Sequence, residues 1–88
     1  MSGDALARQW REDDAAHIDV RGLPPPQPLV AILRLVHTVQ AIDGALPVIA
    51  HLDRDPVMLY PELAQIGWQA ERIAGDANEV RLLLRRLP

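Results

Sequence analysis

The sequence predicts an α/β protein of the α+β kind: a two-layer sandwich with element order β-α-β-α-β-β, a four-stranded mixed sheet and two helices on one face. Three observations carry this. The run His17-Ile18-Asp19-Val20 alternates polar and apolar residues, and the segment Leu46 to Leu52 is almost continuously apolar. Between them, Leu29, Ile32, Leu33, Val36 and Val39 recur at helical spacing. Two further strand-like segments then close the chain, and 88 residues suit one small domain that cannot cover both faces of a sheet.

Residues 1–15 are expected to form a mobile acidic arm ahead of a domain spanning 16–88. Asp4, Glu12, Asp13 and Asp14 outnumber Arg8 and Arg11 there, and a helix started after Asp4 is too short to persist alone. Trp10 is the one residue of this arm with a role open to it, either docking on the domain or meeting a partner. The first strand follows, with Ile18 and Val20 facing inward, and Arg21-Gly22 ends it.

Pro24-Pro25-Pro26-Gln27-Pro28 makes a stiff, extended approach to the first helix, because proline fixes its own backbone angle and donates no hydrogen bond. Along that helix Ala31, Arg34 and Thr38 fall opposite the apolar stripe, and His37 lies at the surface. Asp43-Gly44 stops it, Leu46 to Leu52 reads as a second strand with Pro47 near its start, and strand, helix and strand form a βαβ unit with parallel strands. A shorter helix is expected over about 57–66, stopped by Gly67, and Pro61 fits it only in the first turn. Residues 68–74 and 79–87 read as a hairpin around Gly75-Asp76-Ala77-Asn78.

Composition narrows the function. Phe is absent and the aromatic residues are Trp10, Trp68 and Tyr60, so the core must be aliphatic. With no lysine, dispersed arginines and a net charge of -3, there is no basic stripe for nucleic acid. With no cysteine, disulfides, thiolate catalysis and cysteine-ligated metals are excluded. No apolar run reaches the length of a membrane span, and a cytoplasmic protein is expected.

Asp19-Val20-Arg21-Gly22-Leu23-Pro24-Pro25-Pro26-Gln27-Pro28-Leu29 resembles the signature of the TusA-like (SirA-like) sulfur-carrier superfamily, in which Gly-Leu-x-Cys-Pro-x-Pro precedes the first helix. Gly22, Leu23, Pro26 and Pro28 match, and Pro25 occupies the cysteine position. His51-Leu52-Asp53-Arg54-Asp55-Pro56, Leu59-Tyr60-Pro61-Glu62-Leu63 and Gly67-Trp68 resemble a cysteine-less branch catalogued as an uncharacterised domain. The resemblance implies the same two-layer sandwich. It also implies that sulfur relay is lost, since Pro25 supplies no thiolate, and that docking on partner proteins remains.

Four sites are expected on this basis. The first is a partner or anion site at the start of the first helix, formed by Arg21, Gly22, Pro25, Pro26 and Pro28, with Arg54 converging; its alternative is that the prolines only stiffen the turn. The second is Asp53-Arg54-Asp55-Pro56, where Asp55 caps the second helix, Asp53 pairs with Arg21 or Arg54, and Arg54 and Tyr60 read a partner. The third is a metal site from His17, Asp19 and His51, whose spacing matches no metal motif and whose alternative is solvated histidines. The fourth is an apolar patch on the open face, where Ile49 and Leu83 join Trp68 or Trp10 and a homodimer forms. The leading expectation is a non-enzymatic interaction module without cofactor, ahead of a small-ligand or metal-binding protein. An enzyme using the carboxylates, histidines and Tyr60 ranks third.

Overall fold

The computed structural model describes residues 7–44 and 46–88. Seven elements follow in order: β1 (Arg8–Glu12), β2 (Ala15–Asp19), α1 (Gln27–Ile42), β3 (Val48–Leu52), α2 (Leu59–Gln65), β4 (Trp68–Ile73) and β5 (Val80–Arg86). They build an α+β fold in which one mixed sheet has the strand order β1-β2-β3-β5-β4. Only β2 and β3 run parallel, as the α1 crossover between them requires; every other neighbouring pair is antiparallel.

The sheet has five strands rather than the expected four. The additional one is β1, which lies within the segment expected to be a mobile arm and pairs along its length with β2, placing Trp10 opposite His17. A tight turn makes this pairing possible: Asp13 and Asp14 both adopt left-handed conformations, with φ 53 and 59. Two successive positive φ values match the twist of a two-residue hairpin, and aspartate tolerates them better than most side chains. Residues 1–6, the rest of that arm, lie outside the described residues.

One core joins the sheet to both helices. Ile18 of β2, Ile32 and Val36 of α1, Val48 and Ala50 of β3, Leu59 of α2 and Leu84 of β5 are all at 0% exposure. Each fully buried valine, leucine or isoleucine among them contributes roughly 1.5–3 kcal/mol relative to exposure. Strand parity puts Ala16, Ile18 and Val20 on the helix side and His17 and Asp19 on the opposite, open face. Ala31 is buried with Ile32, Val36 and Val39, so the inward stripe of α1 is wider than its larger apolar residues alone suggest.

The loop after β2 turns at Gly22, whose φ of 85 is left-handed. The Gln27 amide then donates to the Pro24 carbonyl at 2.9 Å, and the Val30 amide donates to the Pro26 carbonyl at 3.1 Å. Pro28 falls in the first turn of α1, where its missing N–H leaves no bond unmade. Pro61 likewise sits in the first turn of α2, which meets the condition its sequence imposes. Asp55 does not cap that helix: no side chain caps it, and Asp55 instead accepts a hydrogen bond from the Tyr60 hydroxyl. Trp68 packs on the helix side, 1% exposed, where its indole N–H donates to Gln40 Oε1 at 2.9 Å. It therefore contributes nothing to an apolar patch on the open face.

Candidate functional site

Two concave surfaces lie on different parts of the domain. The first is a cleft of about 360 Å³ at the carboxyl ends of β2 and β3. Val20, Leu23, Leu29 and Leu52 give it an apolar lining, Pro25, Pro26 and Pro28 stand on one side, and residues 53–58 form the other. The two sides are tied together because the Gly22 amide donates to Asp53 Oδ2 at 2.6 Å. Val57 and Met58 stand at its edge, 64% and 71% exposed.

Beside the cleft, the Tyr60 hydroxyl hydrogen-bonds Asp55. Burial, reinforced by the Asp55 carboxylate, pushes the Tyr60 phenol up to about 12. A phenol held protonated in this way donates; it is no base at neutral pH.

The second surface is a polar depression of about 470 Å³ on the open face of the sheet. At its centre three buried side chains form a chain of hydrogen bonds. Glu79 Oε2 lies 2.6 Å from His51 Nδ1, and His51 Nε2 lies 3.0 Å from His17 Nδ1. Glu79 also accepts from Arg81 Nε at 2.9 Å and from the Asp76 amide at 3.2 Å. The Arg81 guanidinium, aided by His51 and the Asp76 amide, overrides burial and holds the Glu79 carboxyl down at about 2. Arg21 clamps Asp19 through two guanidinium bonds of 2.9 and 2.7 Å, which holds Asp19 below the usual carboxylate range.

Trp10 covers this chain from the side. Its ring is stacked on His17 at 5.0 Å and on His51 at 5.3 Å between centroids. Burial, and then the charge of His51, push the His17 imidazole below its ordinary value.

Residues 17–86 match the family described as uncharacterized conserved protein (DUF2249). The chain belongs to the DUF2249 family. No curated protein matches it. The DUF2249 match takes in the cleft, His17, His51 and Glu79, and it begins after Trp10 and β1.

Within this DUF2249 domain the expected site residues divide between the two surfaces. Pro25, Pro26, Pro28, Asp53 and Arg54 line the cleft, and Tyr60 is held at its side through Asp55. Arg21 is elsewhere: it lines the open-face depression with Asp19, so it neither converges with Arg54 nor pairs with Asp53. Asp53 holds the Gly22 amide instead.

The three residues considered for a metal are likewise separated in role, since His17 and His51 face each other and Asp19 faces Arg21. Among the described residues, no group of three or more His, Asp or Glu is placed to hold a metal ion. Both histidines are buried, 9% and 7% exposed, rather than solvated. Ile49 and Leu83 are paired neighbours on the open face, both half-buried, beside a surface that is mostly charged.

Glu79 is the residue that sequence reasoning missed, whereas Trp10 docks on the domain, one of the two roles open to it from the sequence. An acid just before a strand carries no signal of burial, and Trp10 gains its place only through the Asp13-Asp14 turn. Among the described residues, no helix is long and apolar enough to cross a membrane.

Proposed function

We propose that this domain is a non-enzymatic interaction module that takes an apolar side chain of a partner protein into the cleft between the proline loop and residues 53–58. We also propose that it is a cysteine-less relative of the TusA-like (SirA-like) carriers, with Pro25 standing on the cleft side where those proteins keep a thiol. The observation that carries the first reading is the exposure of Val57 and Met58, 64% and 71%, at the edge of an apolar concavity. Large exposed apolar side chains grouped around a pocket are a recurring mark of protein contact surfaces. The prolines support it further: a side already rigid loses little conformational freedom when the cleft is filled.

The charged rim favours a protein partner over a small anion. Asp53 and Asp55 flank Arg54, and the proline loop offers few N–H groups to an anion. The test places a photo-reactive residue at position 58, and separately at position 71 on the open face, in cells that make the protein. A discrete protein adduct at 58 alone is expected, and Met58→Asp should reduce capture of that protein at least tenfold with an unchanged melting temperature. Equal adducts at both positions, or turnover of a substrate by the purified protein, would sink the reading. For the kinship, sulfur loading of a Pro25→Cys variant in cell extract is expected, and an accessible thiol that stays unloaded counts against it.

A further inference from the structure

We propose that His17 and His51 form a proton-operated latch that holds the edge strand β1 on the sheet, closed while the rings share one hydrogen-bonding proton and opened when both rings are protonated. The inference is independent of the cleft and rests on the open face alone.

The geometry of the pair sets the rule. The ring centroids are 5.3 Å apart while the facing nitrogens are 3.0 Å apart. The difference is about one ring width, so the two nitrogens point straight at each other. Two ligands of a common metal would instead converge on a third point. One nitrogen must donate and the other accept.

Glu79 accepts from Arg81 and from the Asp76 amide as a carboxylate, so His51 Nδ1 has to donate to it. The remaining contact, His51 Nε2 to His17 Nδ1, holds one proton whichever ring supplies it. The closed pair therefore carries at most one positive charge. A second proton sets N–H against N–H at 3.0 Å and adds repulsion between two imidazolium rings.

Strand β1 touches this pair through Trp10. As an edge strand it is hydrogen-bonded to β2 alone. Trp10 is the one residue of β1 that is half-buried rather than exposed, and what the indole covers is the two imidazoles, tilted 19° and 27° from its plane. Separation of the rings removes the platform on which that side chain rests. Once β1 leaves, the backbone of β2 becomes the new sheet edge.

The surrounding charges do not move in the same pH range. From β1 the pair faces Arg8 and Glu12, and from the following turn Asp13; β2 and its end supply Asp19 and Arg21; β5 supplies Arg81, and the turn before it Asp76 and Glu79. Arg21 and Arg81 hold Asp19 and Glu79 ionised well below the histidine range.

Once exposed, His17 returns to the ordinary histidine value of about 6.5, whereas in the closed pair burial and the neighbouring His51 hold it lower. Latch stability is therefore complete above about pH 6.5 and declines as pH falls, by up to about tenfold per pH unit, until the closed state is itself protonated.

Hydrogen exchange on the full chain, corrected for intrinsic rates, tests this between about pH 7.5 and about pH 5. Protection of residues 8–12 is expected to fall by up to about tenfold per pH unit below about pH 6.5, while residues 48–52 and 80–86 keep theirs. His17→Asn places near the Nδ1 position an amide that donates to His51 Nε2 or, turned over, accepts from it, and that never charges, and should flatten the profile. Constant protection in the wild type, an equal fall in every strand, or an unchanged fall in His17→Asn overturns the proposal. Should that variant fail to fold, the wild type decides through nitrogen NMR of its imidazoles. Proton uptake at His17 in the closed protein must lie below about pH 6.5, where the decline in protection at residues 8–12 levels off, and uptake at or above that pH overturns the latch.

Discussion

Asp53 Oδ2 accepts the Gly22 amide at 2.6 Å, and this bond joins the loop after β3 to the loop after β2. A carboxylate on a main-chain N–H is among the stronger hydrogen bonds, although its exposed position weakens it here. Asp53→Ala is expected to cost about 1 kcal/mol in urea unfolding, with Asp53→Asn recovering part because its amide oxygen still accepts. Hydrogen exchange at Gly22 should rise in the alanine variant while that of β5 is unchanged. An unaltered Gly22 would mean that the prolines alone shape the cleft.

Glu79 is 8% exposed and accepts from Arg81, from His51 and from a main-chain amide at once. Its removal leaves Arg81 without its counter-charge and the buried His51 Nδ1 without its acceptor, so Glu79→Ala should cost about 3 kcal/mol. The pH dependence has a definite sign. Because the folded carboxyl sits near 2, below its ordinary value of 4.5, its contribution is present above about pH 4.5 and is lost as pH falls towards 2. Acid unfolding of a Glu79→Gln variant should be shallower over that interval than that of the wild type.

The Tyr60 phenol provides the opposite case. Its folded value of about 12 lies above the ordinary 10.0, so its stabilisation is intact below pH 10 and is lost as pH rises from there towards 12. Near-ultraviolet absorbance should show phenolate forming near the upper figure in the native protein. Asp55→Asn should bring the midpoint down without restoring the ordinary value, because burial remains the larger cause. A native midpoint at the ordinary value would disprove the Asp55 contact.

Gly67 ends α2 with a φ of 80, and a Cβ built there meets nothing within 4 Å. The cost of a side chain is thus conformational rather than steric. Gly67→Ala should destabilise the domain by about 1 kcal/mol, and Gly67→Asn by less, since asparagine visits the left-handed region more readily. Equal stability of the alanine variant would show that the turn relaxes to another conformation.

The parts legible in the sequence are those fixed by a repeating pattern. Leu29, Ile32, Leu33, Val36 and Val39 mark α1 by spacing, and Pro28 and Asp43 bound it to within a residue of its observed limits. The cleft was legible because a strand followed by Pro24 to Pro28 and another followed by Asp53 to Pro56 must leave the same end of a parallel pair. The direction of Arg21 was also accessible: it continues the parity of His17 and Asp19, and parity sends it to the open face. The first strand was not legible, since Asp13-Asp14 is a rare way to make a two-residue turn. Nor was the Glu79-His51-His17 chain, whose members lie 28 and 34 residues apart and meet only through strand order.

That strand order has a consequence for how the chain is made. The last strand of the domain, β5, lies between β3 and β4, so neither of those can complete its ladder until residues 80–86 have left the ribosome. Pairing between distant segments is slow to form, and a nascent chain ending before residue 80 presents β4 with no neighbour in the sheet. Emergence of β5, rather than of the first helix, is the event that commits this domain to its fold.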